Sequence, residues 1–456
     1  MLPVELLAHI FTFYHAEAPD KSSLPYPSWL PITHVCRRWR TVALGHGQLW
    51  ASVTRGLPSH WIKAFMERSG TMLMDFDIHV APGYRDCLHI VPLLANFTRV
   101  RSLCLTGSRN SIPPVIDSLR SSLPVRSLSL CLEDKIVPSR AILILPDNLF
   151  GRDAPIRYLQ LVVIGFNGGH IVTPHWLLRS VTHFMTAGPT LTELLDTLHH
   201  MSALVYLEFQ SHASCYIAWF TPTVVPVQMP HLMNLVVRTR SPFEFMLLHR
   251  LLLPHPSAKT RLELGPGDEC SHTYASGIKR LSLGIEASNV FRHIHFSGVR
   301  ENLIFRLWTG DVGTTWEDAK FCVFVKTNEY GYSRENFIRL CDGLGAARVR
   351  RLVIDSLTPA LQMSFWWGAL AKLRGIEELQ LYPASVEILG DAWGINFAPA
   401  VFPALRRVGI MDSELNHPSA QYAIFRAGKH QPRRIVRLLS STESAEMERR
   451  TCQRGF

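Results

Sequence analysis

The sequence predicts an α/β chain, in which a short N-terminal helical module precedes an irregular αβ repeat solenoid. Three observations predict it. Apolar residues fall at helical spacing through the first fifty positions. One phrase, apolar-x-x-Leu-x-apolar, then returns along the rest of the chain. Helix-like or Pro/Gly-rich stretches separate its copies.

The bulk properties leave room for that plan. At 456 residues, 47% hydrophobic and 18% charged, the chain can build a large core and is not a disordered polymer. Mean hydropathy is +0.08, yet no apolar run approaches the roughly 18 residues a spanning helix needs. The greasiest stretches, Tyr158–Phe166 and Phe245–Leu253, are short, and His249 and Arg250 break the second. MLPVELLAHI has no basic leading segment and carries Glu5 and His9, so it does not read as a secretory signal. The nine cysteines contain no CxxC pair and fit a reducing compartment. A soluble, cytoplasmic or nuclear protein with no membrane partner is expected.

Residues Pro3–Tyr14 read as a helix with Pro3 at its first position. Leu2, Leu6, Ile10 and Phe13 form one apolar flank, and Leu7, Phe11 and Tyr14 the next. The apolar arc exceeds the ~100° stripe of an ordinary surface helix. Either the extra face packs on the same chain or it awaits a partner. A second helix is expected over Pro31–Leu44, with Ile32, Val35, Cys36, Trp39, Val42 and Ala43 on one side and Arg37, Arg38 and Arg40 on the other. Gly45-His46-Gly47 ends it, and Leu49-Trp50 follows as an apolar plug. Between the helices, Ala16–Ser28 reads as an exposed Pro/Ser-rich loop.

The string from Leu2-Pro3 through Leu6 and Ile10-Phe11, then Trp29, Ile32, Val35-Cys36, Trp39 and Leu49-Trp50, resembles an F-box of the kind abundant in fungi. The resemblance implies a three-helix module that binds the Skp adaptor of cullin–RING ubiquitin ligases. Its adaptor-contacting residues would be Leu2, Pro3, Leu6, Ile10, Val35, Cys36 and Trp39. The Ala16–Ser28 insertion departs from the common motif.

The returning phrase occurs at Val100–Leu105, Val125–Leu130, Ile156–Leu161, Leu204–Phe209, Leu232–Val237, Ile278–Leu283, Val349–Ile354, Ile376–Leu381 and Leu405–Ile410. Weaker copies begin at Val181, Arg261, Asn302 and Phe321. No unit of this size can bury its apolar positions alone, so neighbours must stack. The pattern resembles leucine-rich repeats, without their Asn/Cys ladder residue, and implies a horseshoe. An ordinary α/β fold with parallel strands is the alternative. Leu159, Leu207, Leu281, Leu352 and Leu379 are expected in the core. Domain boundaries fall at 1–54 for the helical module, 55–71 for a helical connector, 72–425 for the solenoid and 426–456 for a basic cap or tail.

Motifs for catalysis are weak. Gly343-Leu-Gly345 has Arg348 where a dinucleotide site needs its third glycine. His199-His200, His293-x-His295 and Cys270-x-His272 lack a second pair at zinc spacing. Neither a metal nor a cofactor is expected, and the chain is read as no enzyme. The basic tail, Arg426–Arg454, is diluted by Glu443, Glu446 and Glu448 and reads as a capping helix with a frayed end, which makes nucleic acid a poor partner.

Side chains alternate along a strand, so residues flanking each inward leucine should line one exposed sheet face. Candidates for holding a protein target there are Tyr158, Gln160, Tyr206, Glu208, Arg238, Arg280, Arg351, Asp355, Glu378, Tyr382 and Arg407. They are equally what any solvated sheet face carries. The function expected is that of a substrate-recruiting adaptor subunit of a Skp–cullin–F-box ubiquitin ligase. A repeat scaffold independent of any ligase is the alternative.

Overall fold

The computed structural model describes residues 2–17, 26–80, 98–119, 124–133, 142–147, 149–150, 154–164, 170–211, 225–239, 242–255, 257–264, 293–299, 302–308, 321–326, 341, 349–354, 368, 370–381, 403–411 and 435–439. The fold is mixed α/β, with N-terminal helices followed by largely parallel sheet. Two compact units divide it: Met1–Ala213 with Val227–His231, and Ser214–Pro226 with Leu232–Phe456.

The first unit begins with α1 (Val4–Glu17), one turn-like segment Leu30–His34, α2 (Arg37–Gly45), a second turn Gly47–Trp50 and α3 (Ser59–Arg68). α1 starts one residue later than expected: Pro3 stands just outside, its carbonyl accepting the Leu7 N–H at 3.2 Å. It also runs through Ala16 and Glu17, two residues expected in the loop. The single helix expected over Pro31–Leu44 is two pieces. Cys36 is fully extended (φ −160°, ψ 167°), and its Sγ accepts the Trp39 N–H at 3.5 Å. Cys36 thus takes the N-cap place normally held by Ser or Asp, and the chain restarts as α2.

The Leu49-Trp50 plug is buried, as its composition implies. Trp50 is wholly enclosed, its Nε1 donating to the Ala43 carbonyl at 3.0 Å. Trp29 meets it edge-on at 4.8 Å between ring centres, and Phe65 of α3 packs at 5.1 Å. The Arg68 guanidinium lies 4.5 Å over the Trp50 ring. α3 is therefore part of the same core as the N-terminal helices. Gly70, at φ +59°, ends α3 in the left-handed conformation that suits glycine.

Seven parallel strands follow in chain order: β1 (Ser52–Val53), β2 (Met74–Val80), β3 (Val100–Gly107), β4 (Ser127–Glu133), β5 (Tyr158–Ile164), β6 (His183–Ala187) and β7 (Tyr206–Gln210). Register explains the phrase. Val53, Phe76, Leu103, Leu128, Leu159, Phe184 and Leu207 are opposed strand by strand, all at most 2% exposed. A second ladder runs Ile78, Leu105, Leu130, Leu161, Thr186 and Phe209. Short helices occupy some connections, among them Ile112–Ser118 and Leu191–Leu198. The latter has a capping box: Glu193 Oε2 accepts the Thr190 N–H at 2.8 Å while Thr190 Oγ1 accepts from Glu193 N. Gly107 sits where a Cβ would lie 2.5 Å from the Val80 carbonyl oxygen, so no larger residue fits there without backbone movement.

The second unit carries β8 (Asn234–Thr239), β9 (Lys259–Leu264), β10 (His293–Val299), β11 (Asn302–Trp308), β12 (Phe321–Lys326), β13 (Arg351–Ile354), β14 (Glu378–Leu381), β15 (Arg407–Met411) and β16 (Ile435–Leu439). The order across its sheet is β8-β9-β12-β11-β10-β13-β14-β15-β16. Here the phrase at Asn302 departs from the expected parallel stack, because β10 and β11 form an antiparallel hairpin and β11 is also antiparallel to β12. Val299 opposes Asn302, and a parallel return needs a crossover of about a dozen residues. The apolar register survives the reversal: Leu262, Val323, Phe305, Phe296, Ile354, Leu381, Ile410 and Leu438 are successively opposed. β16 lies in the basic tail, where a helix was expected; its sequence, IVRLL, is β-branched and alternating enough to extend the sheet. Leu159, Leu207, Leu352 and Leu379 are buried as anticipated, and Leu281 lies outside the described residues.

Candidate functional site

Two surfaces stand out, and the first is on α1. Leu7 and Phe11 turn inward, with the Phe11 ring 5.1 Å from that of Trp39. The other flank has no cover within the described residues: Leu2, Leu6 and Ile10 are 49, 49 and 45% exposed, and Phe13 is 67%.

α2 fixes where the flank continues. The Arg38 guanidinium donates to the Leu2 carbonyl, bringing the start of α1 beside the start of α2. Thr12 Oγ1 and His46 Nε2, 3.1 Å apart, tie the far end of α1 to the end of α2. Burial, and then the neighbouring His9, hold the His46 imidazole below its ordinary pKa and favour its neutral form. Val35 (60% exposed), Cys36 and Pro3 stand open, and Trp39 is half-buried. All seven residues expected to contact the adaptor therefore lie wholly or partly on the surface, around the junction of α1 and α2.

The second surface is the outward face of the sheet in the first unit. One row runs Asp75, Ser102, Ser127, Tyr158, His183, Tyr206; the next runs Asp77, Cys104, Ser129, Gln160, Met185, Glu208. Tyr158, half exposed, stacks on His183 at 4.5 Å and 28°, and His183 on Tyr206 at 5.9 Å and 22°. Burial lowers the His183 pKa. Gln160 Oε1 accepts from Ser129 Oγ at 3.1 Å. Glu208 corrects the expectation of an open position: it is only 7% exposed, and the Tyr206 hydroxyl donates to its Oε2 at 2.7 Å. The larger ring beside it covers the carboxylate.

In the second unit, Arg238 pairs with Glu263 at 2.9 Å, Arg407 with Glu378 at 2.7 Å, and Arg351 donates to Gln380 at 2.8 Å. Arg280, Asp355 and Tyr382 lie outside the described residues, as do Cys270, His272, the Gly343 motif and most of the tail. His183, absent from the residues expected on this face, joins its row, because its phrase, beginning at Val181, places it in register with Tyr158 and Tyr206. His200 stacks on His175 at 3.7 Å rather than converging on an ion. Among the described residues no group of three or more His, Cys, Asp or Glu could hold a metal, and no helix is long and apolar enough to cross a membrane.

No curated protein matches the chain. Its N-terminal residues do match a family: residues 1–55 fit the family model described as F-box-like, so the helices bearing the exposed apolar flank form an F-box-like domain.

Proposed function

We propose that this chain is the substrate-recruiting subunit of a Skp–cullin–F-box ubiquitin ligase. The observation that carries the reading is the uncovered apolar flank of an F-box-like domain. Leu2, Pro3, Leu6, Ile10, Val35, Cys36 and Trp39 dock on the Skp adaptor. Burying such a flank in a partner removes apolar surface from water, roughly 25 cal/mol per Å². The N-terminal helices act as the three-helix module, and the strands beyond them form an irregular leucine-rich-repeat-like solenoid whose outward face holds a protein target. The in-register ladders of phrase leucines support that repeat reading. The subunit positions its target and performs no covalent step itself.

The test is co-purification. Leu6→Ala with Ile10→Ala removes two anchors on the exposed flank, each typically worth about 2 kcal/mol or more at an interface. Loss of adaptor and cullin from the purified complex, with far-UV circular dichroism unchanged, is the expected result. Retention of both partners by the doubly truncated chain overturns it and leaves the ligase-independent scaffold.

A further inference from the structure

We propose that Arg126 and Arg157, beside the Tyr158–His183–Tyr206 ring stack, seat a short acidic peptide segment. The inference rests on the reading of the outward sheet face as the target surface, and it names the chemistry of what binds there.

Backbone hydrogen bonds set three arginines on neighbouring chain segments just before the strands of that face. The Arg126 N–H donates to the Arg101 carbonyl, and the Arg157 N–H to the Arg126 carbonyl, both at 2.8 Å. All three residues are exposed. Arg101 is neutralised by Asp75, which accepts from both its Nε and Nη2. Arg126 and Arg157 have no carboxylate partner among the described residues. Neighbouring strands lie about 4.8 Å apart, and like charges carried on adjacent segments at that spacing repel. An acidic segment laid over the pair turns that repulsion into two charge-assisted hydrogen bonds.

In the second unit, the arginine at the same phrase position before Leu352, Arg350, has a carboxylate nearby. Arg350 stands 3.7 Å from Glu377, just before the next strand, and Arg407 stands 2.7 Å from Glu378. Arg157 leads into the strand of Tyr158, where the ring stack begins, and Arg126 leads into the strand beside it. Next along from Arg157, Tyr158 opens that stack. His183, held toward its neutral form by burial, adds no third cation to it. The stack offers a flat apolar seat for a side chain flanking the acidic positions. A nucleic acid fits less well, since a phosphate backbone wants one sign of charge throughout. The face also carries Asp75 and Asp77, each paired with an arginine, so it is of mixed sign away from Arg126 and Arg157.

The experiment is selection from a short degenerate peptide library by the full-length chain, alongside Arg126→Ala/Arg157→Ala and Arg126→Glu/Arg157→Glu variants. Wild type should enrich Asp and Glu at neighbouring positions. The alanine pair should weaken the best acidic peptide about tenfold, a change expected for losing charge-assisted contacts. The glutamate pair should select Lys and Arg instead. Adaptor co-purification should be equal in all three chains, which separates failure here from failure of the ligase reading. Selection of neutral or basic peptides by wild type, selection unchanged in the variants, or tighter binding of oligouridylate than of any selected peptide would overturn the proposal.

Discussion

The outward sheet faces of the two units solve the same electrostatic problem differently. In the second unit, arginine on one strand meets glutamate on the next at Arg238–Glu263 and Arg407–Glu378. In the first, Arg101 meets Asp75 and Arg55 meets Asp77, but Arg126 and Arg157 adjoin without a carboxylate among the described residues, and the row beyond Ser127 becomes a stack of rings. The ladders of both units are built largely from apolar residues. Core chemistry therefore does not distinguish the units. The residues between the leucines do: both faces pair some charges internally, and the first also leaves Arg126 and Arg157 without a carboxylate among the described residues.

The largest expected effects test the shared part of the comparison. Leu159→Ala in the first unit and Leu352→Ala in the second should each destabilise by about 2–5 kcal/mol. Both side chains are 1% exposed. Hydrogen exchange should show the loss spreading to the strands on either side of the cavity, because each ladder position is completed by its neighbours. Equal protection of the flanking strands in variant and wild type would argue against stacked, mutually dependent units. Gly107→Ala should follow, at roughly 1–3 kcal/mol in urea unfolding, as its methyl group meets the Val80 carbonyl.

Smaller effects test the contrast. A double-mutant cycle on Arg407 and Glu378, whose side chains are 62 and 29% exposed, should return a coupling of about 0.2–1 kcal/mol. Arg126→Ala should instead leave stability unchanged or raise it by a few tenths of a kcal/mol, by removing a like-charge neighbour. A clear loss of stability at that position would mean the arginine is already paired.

The smallest effect is a pH dependence at the ring stack. Burial depresses the His183 pKa below 6.5, so the unfolded chain takes up that proton first as pH falls. Stability from the neutral ring is complete above 6.5 and is lost as pH falls from 6.5 through the folded value. His183→Asn should flatten this part of the stability-versus-pH curve.

The phrase leucines make most of the strands legible, because a residue that must be buried at a fixed spacing announces both strand and register. The helical flank on Leu6 and Ile10 is legible for the converse reason, being more apolar than its own packing needs. Three features are not. Cys36 breaks the second helix through a weak sulfur acceptor, a role its residue type rarely signals. The β10–β11 reversal is set by a two-residue gap between strands, one of which carries no full phrase. Arg126 and Arg157 occupy ordinary variable positions, and only the stacking of their strands brings them together.

The Trp29–Trp50–Phe65 cluster has a mechanical consequence. Trp50 is followed at once by β1, whose Val53 opens the sheet's inner ladder, and Asp75 donates its N–H to the Ala51 carbonyl. Within the first unit the N-terminal helices thus join the sheet directly at β1, without a tether between Trp50 and that strand. A floppy linker would let captured cargo sample many positions, diluting each one. This connection behaves as a ruler instead: once the helices are clamped, the ring stack stands at a set distance and angle. On the proposed function, the lysines that receive ubiquitin are then chosen by reach from that stack, as well as by affinity for it.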